Sequence, residues 1–209
     1  MAACFITFEG GEGSGKSTHS RKLAERLRGL GRAVTLTREP GGSPGGELIR
    51  KLLVSGEINR WSPEAETLLN YAARDAHLRD TIRPALAAGD IVICDRFIDS
   101  TRAYQGYAGG CDLGFIDTLE REIVGADRPQ LTLIFDLDAE QGLERAGRRK
   151  DSTENRFERK GLAFHQRLRE GFHKIAAADP GRCRIIVASG SIDETADAVW
   201  RQISPLVVQ

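Results

Sequence analysis

The chain has 209 residues, enough for one domain with a substantial core and too few for several. Thirty Lys and Arg balance thirty Asp and Glu, and this neutrality argues against general affinity for nucleic acid or an anionic membrane surface. Cys4, Cys94, Cys111 and Cys183 form no C-x-x-C pair or metal-ligand cluster, so they read as reduced thiols of a cytoplasmic protein.

The first apolar run, Cys4–Phe8, predicts a buried strand, and the apolar stretch before Glu9 is too short for a signal core or a membrane span. Directly after it, Gly10-Gly11-Glu12-Gly13-Ser14-Gly15-Lys16-Ser17 fits G-x-x-x-x-G-K-[ST], with a helical pattern over Lys16–Leu30. The physical reading is a phosphate cradle. Glycines let backbone N–H groups point at a polyphosphate, and the helix adds its positive end to the same spot. Lys16 would reach the outer phosphates, and the Ser17 hydroxyl would hold a magnesium ion. Gly10 through Thr18 therefore predict binding of a nucleoside triphosphate or a close relative.

Gly31 stops that helix, and a second strand, Ala33–Thr37, leads into Thr37-Arg38-Glu39-Pro40-Gly41-Gly42, a stiff turn carrying two charges. Helices follow over Gly46–Val54 and Pro63–Ala88. Ser62 caps the second of these, Leu68, Leu69, Ala72 and Ala73 form its apolar stripe, and Gly89 ends it. The strand Ile91–Cys94 then runs into Asp95-Arg96-Phe97. Asp95 could join a magnesium shell or position a nucleophilic oxygen, and Arg96 could grip phosphate; the alternative is a structural ion pair.

A helix over Leu113–Val124 precedes the strand Leu131–Leu137. Asp138, with Gln141 three residues on, caps a helix over Ala139–Ala146, which leaves Asp136 a capping or packing role. Between Arg145 and Lys160 seven cations face three carboxylates, a local charge of +4 in a neutral chain. Such a polar loop could fold over phosphates, exclude water and supply arginines. Glu158–Ala178, the strand Arg184–Ala188 and Ile192–Ile203 complete the series. His19, His77, His165 and His173 share no metal spacing and read as surface or packing residues; Trp61 and Trp200 read as core or interface anchors. Apolar strands alternating with helices predict an α/β fold whose parallel sheet is covered on both faces, with ligands at the carboxyl ends of the strands.

Taken in order, Phe8-Glu9-Gly10 through Ser17-Thr18, Thr37-Arg38-Glu39-Pro40-Gly41-Gly42, Tyr71-Ala72-Ala73-Arg74, Asp95-Arg96-Phe97-Ile98-Asp99-Ser100, Ala103-Tyr104-Gln105-Gly106 and Arg128-Pro129-Gln130-Leu131-Thr132 resemble the thymidylate kinase family over nearly the whole chain. The resemblance implies a three-layer P-loop nucleoside-monophosphate-kinase fold with a five-stranded parallel sheet and a short lid at about 147–157. It implies ATP and dTMP as substrates, magnesium as cofactor and a homodimer. A kinase for another nucleotide or a deoxynucleoside, and a non-catalytic nucleotide-binding protein, are the rival readings; no Asn-Lys-x-Asp motif supports a GTPase switch.

The same resemblance assigns roles. Lys16 and Arg96 would neutralise the transferring phosphoryl group, with Ser17 and Asp95 organising magnesium. Glu12 would contact the acceptor's 3′-hydroxyl. Gly13 stands where other members carry an arginine, so the catalytic arginine moves to the lid, with Arg149 favoured over Arg148 and Arg156. Arg74, Thr101 and Gln105 would read the pyrimidine base. Arg50 with Arg96 would hold the 5′-phosphate, Tyr104 would crowd the sugar 2′ position, and Glu39 would lie close to the monophosphate. Asn70 replaces a phenylalanine that in many relatives stacks on thymine, which leaves Tyr71 or another ring to cover the base.

Overall fold

The computed structural model describes residues 3–148 and 155–207. Five strands, β1 (Cys4–Gly10), β2 (Val34–Arg38), β3 (Ile91–Asp95), β4 (Leu131–Asp136) and β5 (Cys183–Val187), form one parallel sheet in the order β2-β3-β1-β4-β5. Every residue of β1 is buried, as expected of a central strand with both faces covered. One face packs Cys4, Ile6 and Phe8 against Leu23, Ala24 and Leu27 of α1 (Lys16–Gly29) and Val199, Ile203 and Val207 of α9 (Ile192–Val207). The opposite face carries Phe5, Val92 and Cys94 against Tyr71 of α3 (Pro63–His77) and Ile116 of α6 (Leu113–Ile123). A third cluster joins Ile134 and Cys183 to Phe164, Leu168 and Phe172 of α8 (Leu162–Ala178). The three-layer α/β reading therefore holds.

Local chemistry sets the ends. Ser43 caps α2 (Pro44–Val54) by accepting from Gly46 N at 3.1 Å, Ser62 caps α3 from Ala65 N at 3.2 Å, and Asp138 caps α7 (Ala139–Gly147) from Glu140 N at 3.0 Å. Each such cap stabilises its helix by about 1 kcal/mol. Gly31 and Gly89 terminate their helices at φ 76° and 88°.

Two expected helices need correction. The helix expected over Pro63–Ala88 is broken by a π-helical turn, Leu78–Ile82, before α4 (Arg83–Ala87). The expected Glu158–Ala178 helix starts only at Leu162, because Gly161 sits at φ 82° after a single 3₁₀ turn. Segment 98–108 is helical as well, as α5 (Ile98–Thr101) and a π-helical stretch Arg102–Ala108. The expected stripe of α3 holds only in part, with Ala73 buried and Leu69 half-buried. Leu68 and Ala72 are exposed, while the polar Glu66, Thr67, Arg74 and His77 face inward, each with a hydrogen-bond partner. No helix among the described residues is long and apolar enough to cross a membrane.

Candidate active site

The register of the sheet places the site. β1 and β3 pair Phe8 with Asp95, so the turn that follows Gly10 and the residues after Cys94 leave the sheet side by side. Gly10, Gly13 and Gly15 take φ of 131°, 66° and 90°, which wrap the loop before α1. Lys16 is buried and donates to Gly11 O at 2.6 Å and Ser14 Oγ at 3.2 Å. Burial, and then the Arg96 charge, push its ammonium down to about 7 against the pull of Asp95, Glu12 and Glu9. Ser17 Oγ donates to Asp95 Oδ2, which brings the two magnesium candidates into contact across 78 residues of sequence.

Arg96 is the one non-glycine residue at positive φ (72°) among the described residues, a conformation costing about 1–3 kcal/mol that surrounding contacts must sustain. Its N–H donates to Phe8 O at 2.9 Å, and Nη1 donates to Gly10 O at 2.8 Å and Ser100 Oγ at 3.2 Å. Nη2 approaches Glu12 Oε1 at 3.4 Å. The same oxygen accepts from Tyr104 Oη at 2.6 Å. Burial would raise the Glu12 carboxyl, but His165, Arg96 and Lys16 outweigh it and hold Glu12 at about 2. Its second oxygen, Oε2, is buried without a well-formed hydrogen bond, although His165 Nδ1 stands 3.3 Å away.

The acceptor-pocket candidates form a second cluster. Arg74 is fully buried on α3. Its Nε donates to Glu39 Oε2 at 2.9 Å, and its Nη2 donates to Phe97 O at 3.0 Å and Thr101 Oγ1 at 2.9 Å. Its Nη1 is buried with no hydrogen-bond partner among the described residues. Glu39 also receives His77 Nδ1 at 3.0 Å, and Arg50 Nη1 donates to Pro40 O at 2.7 Å.

A cavity of about 490 Å³, of ordinary small-ligand size, unites these groups. Glu12 through Thr18, Glu39, Arg50, Arg74, Asp95, Arg96, Thr101, Tyr104 and Gln105 all line it. Of the expected site residues, Gly10 and Gly11 do not line it, and Arg149 lies outside the described residues. Arg148 pairs with Glu144 at 2.5 Å on the exposed end of α7. Arg156 is not free to act as a lid finger. It is fully buried, donating to Leu53 O, Glu57 O, Ile58 O and Glu66 Oε1. Asn70 lines the cavity, whereas Tyr71 is buried in the core and does not; the rings that do are Phe97, Tyr104 and Phe157.

The thymidylate kinase family model matches residues 8–199. The chain belongs to the thymidylate kinase family. It is 56% identical over 205 residues to the thymidylate kinase of Caulobacter vibrioides, covering 98% of this chain and 96% of that one. It is 53% identical over 197 residues to the thymidylate kinase of Bradyrhizobium diazoefficiens, covering 94% and 86%. The crystal structure of thymidylate kinase from Ehrlichia chaffeensis superposes with a TM-score of 0.79 at 36% identity, covering 98% of this chain and 99% of that chain. The fold is thus the P-loop nucleoside-monophosphate-kinase fold that the motifs implied.

Sequence reasoning missed several groups that shape this thymidylate kinase site. His77 and His165, read as packing residues, stand against Glu39 and Glu12. Arg145, read only as part of a basic run, lines the cavity and donates to Ala188 O at 3.2 Å. Glu66 escaped attention, yet its spacing of four from Asn70, and of four more to Arg74, placed all three along one helix face. Asp136 keeps the packing role expected of it, bound to Arg169 Nε at 2.7 Å and His173 Nε2 at 3.0 Å.

Proposed function

We propose that the protein transfers the terminal phosphoryl group of ATP to dTMP, acting as one P-loop kinase domain over residues 1–209 with a lid at about 147–157. The observation that carries this reading is the shared cavity: the phosphate cradle Gly13–Thr18 and the polar cluster Arg74, Thr101 and Gln105 line one space. An acceptor held by the second group presents its phosphate to a donor held by the first.

In this reading catalysis is positioning plus charge neutralisation. Backbone N–H groups of Gly11 to Thr18 cradle the donor phosphates. Lys16 turns from Gly11 O to the outer phosphates, whose negative charge restores its full protonation. Arg96 neutralises charge between donor and acceptor, and with Arg50 it orients the acceptor phosphate for in-line attack. The Ser17 hydroxyl and Asp95 carboxylate are hard oxygen donors suited to magnesium, which keeps much of its shell as water and phosphate oxygen and supplies charge neutralisation when bound. Glu12, a buried acceptor whose Oε2 makes no well-formed hydrogen bond, suits the sugar 3′-hydroxyl, and Tyr104, held on Glu12, fills the 2′ position. Arg74 Nη1 suits a base carbonyl. Arg149 is the lid arginine that would complete the charge, worth about a thousandfold or more in rate.

We also place this kinase in the cytoplasm as a homodimer. The outward apolar residues Leu68 and Ala72 of α3 supply surface for a second copy, and four buried free cysteines suit a reducing compartment. An ADP-release assay with ATP, magnesium and each of dTMP, dUMP, dCMP and UMP tests the activity. Preference for dTMP is the expected result; saturable turnover of dCMP alone would overturn the assignment.

A further inference from the structure

We propose that Glu66 determines which pyrimidines the base pocket accepts, by fixing the orientation of the Gln105 side-chain amide. The inference rests on the dTMP kinase reading above and adds a specificity-determining residue that does not itself touch the substrate.

Glu66 is buried on the inward face of α3. Its Oε1 receives Arg156 Nη2 at 2.5 Å and Lys160 Nζ at 3.3 Å, and a carboxylate paired with two cations in this way only accepts. Its Oε2 receives Gln105 Nε2 at 2.8 Å. The two ends of an amide are nearly alike in shape, and only the hydrogen-bond network decides between them. Here the decision is unambiguous, because the reverse orientation would set the Gln105 carbonyl oxygen against a carboxylate. The NH₂ group is thus held on Glu66, and the carbonyl oxygen is the end left for the cavity that Gln105 lines.

Arg74 lines the same cavity with a buried Nη1 that has no hydrogen-bond partner among the described residues, and Thr101 links the two, bonded to Arg74 and one helical turn from Gln105. The pocket therefore offers one fixed donor and one fixed acceptor. Thymine and uracil present the complement, a C4 carbonyl beside an N3–H. Cytosine presents the inverse, a C4 amine beside an N3 lone pair, so its donor meets a guanidinium and its lone pair meets a carbonyl. Arg74 cannot reverse its polarity. Gln105 can, and Glu66 is what prevents it.

The test is Glu66→Gln. Arg156 and Lys160, which only donate, retain the carbonyl of the new amide, so its NH₂ turns to Gln105 and forces that amide to flip. The dTMP-to-dCMP ratio of kcat/KM should then fall by roughly tenfold or more, through a higher KM for dTMP and faster use of dCMP. Glu66→Asp, which keeps the charge beside Arg156 but withdraws the acceptor from Gln105, should lower the ratio in the same direction and serves if the first variant does not fold. In a Gln105→Leu background, with no amide to orient, neither substitution should move the ratio. Equal loss of activity toward both acceptors, or a ratio shift that persists without Gln105, would overturn the proposal. Failure of the unsubstituted protein to prefer dTMP over dCMP would instead overturn the underlying dTMP kinase reading, before any variant is made.

Discussion

The carbonyl oxygen of Gly142 lies 2.1 Å from where a Cβ on Gly13 would stand, so the phosphate loop and α7 meet at a distance that only glycine allows. The approach is reciprocal, since a Cβ on Gly142 would lie 2.6 Å from Glu12 O. This packing explains why the arginine found after the acidic loop position in other family members has no place here. α7 occupies its space.

Gly142→Ala should therefore destabilise the protein by about 1–3 kcal/mol through overpacking, roughly 2–4 °C of melting temperature per kcal/mol. Gly13→Arg should cost more, because it adds a left-handed backbone penalty of about 1–2 kcal/mol to the same collision. Differential scanning calorimetry of both variants checks the order; a Gly13→Arg protein as stable as the parent would show that α7 can move aside.

Lys16→Ala should reduce turnover by about a thousandfold while leaving the melting temperature near that of the parent, since its buried ammonium contributes charge to the loop rather than core packing. Steady-state kinetics beside a thermal melt would separate the two effects. Near-normal turnover would refute the phosphate-binding role.

Arg149 and Arg156 should behave in opposite ways. Arg149→Ala should lower kcat far more than it weakens dTMP binding, as loss of an interaction made in the transition state does. Arg156→Ala leaves Glu66 without its main cation and three carbonyls without a donor. It should cost about 3–5 kcal/mol of stability. Denaturant titration and single-turnover rates on the same two proteins distinguish a finger from a strut.

Glu9 makes stability depend on pH. It is fully buried, accepting from Phe97 N at 2.7 Å and from Ser100 Oγ, and burial, followed by repulsion from Asp99, raises its carboxyl to about 7. Between its unfolded value near 4.5 and about 7 the folded state binds the extra proton, so this contribution is fully present below 4.5 and is lost as pH rises through 7. Glu12 runs the other way: its contribution is present above 4.5 and is lost as pH falls through about 2. Glu9→Gln should remove the decline between 4.5 and 7, on the order of 1.4 kcal/mol per pH unit at most. Chemical denaturation at both ends of that window would reveal it; an unchanged slope would show that Glu9 is ionised throughout.

The parts that could be read directly from sequence were those with a local physical cause. Glycine spacing wrote the phosphate loop, apolar runs wrote all five strands, and Ser62 and Asp138 marked helix starts because caps act within three residues. α3 shows where that logic fails. Of its expected stripe Leu68 and Ala72 face outward and Ala73 inward, because the buried side also takes Glu66, Thr67, Arg74 and His77, each held by a polar partner. The helical stretch from Ile98 to Ala108 shows the same effect, since polar Asp99, Thr101 and Gln105 are buried against distant partners rather than patterned by solvent.

Pairings between distant residues obey a different rule. Glu39 with Arg74, Glu66 with Arg156 and Gln105, and Ser17 with Asp95 are separated by 35, 90, 39 and 78 positions. A chain with thirty cations and thirty carboxylates offers each of them many partners of equal charge. The composition and motifs of this chain were sufficient to specify a P-loop kinase and the family it belongs to. The partner of each buried charge, and with it the polarity of the base pocket, follows only from packing, because the cost of burying an unpaired ion selects the one arrangement in which the folded backbone brings opposite charges together.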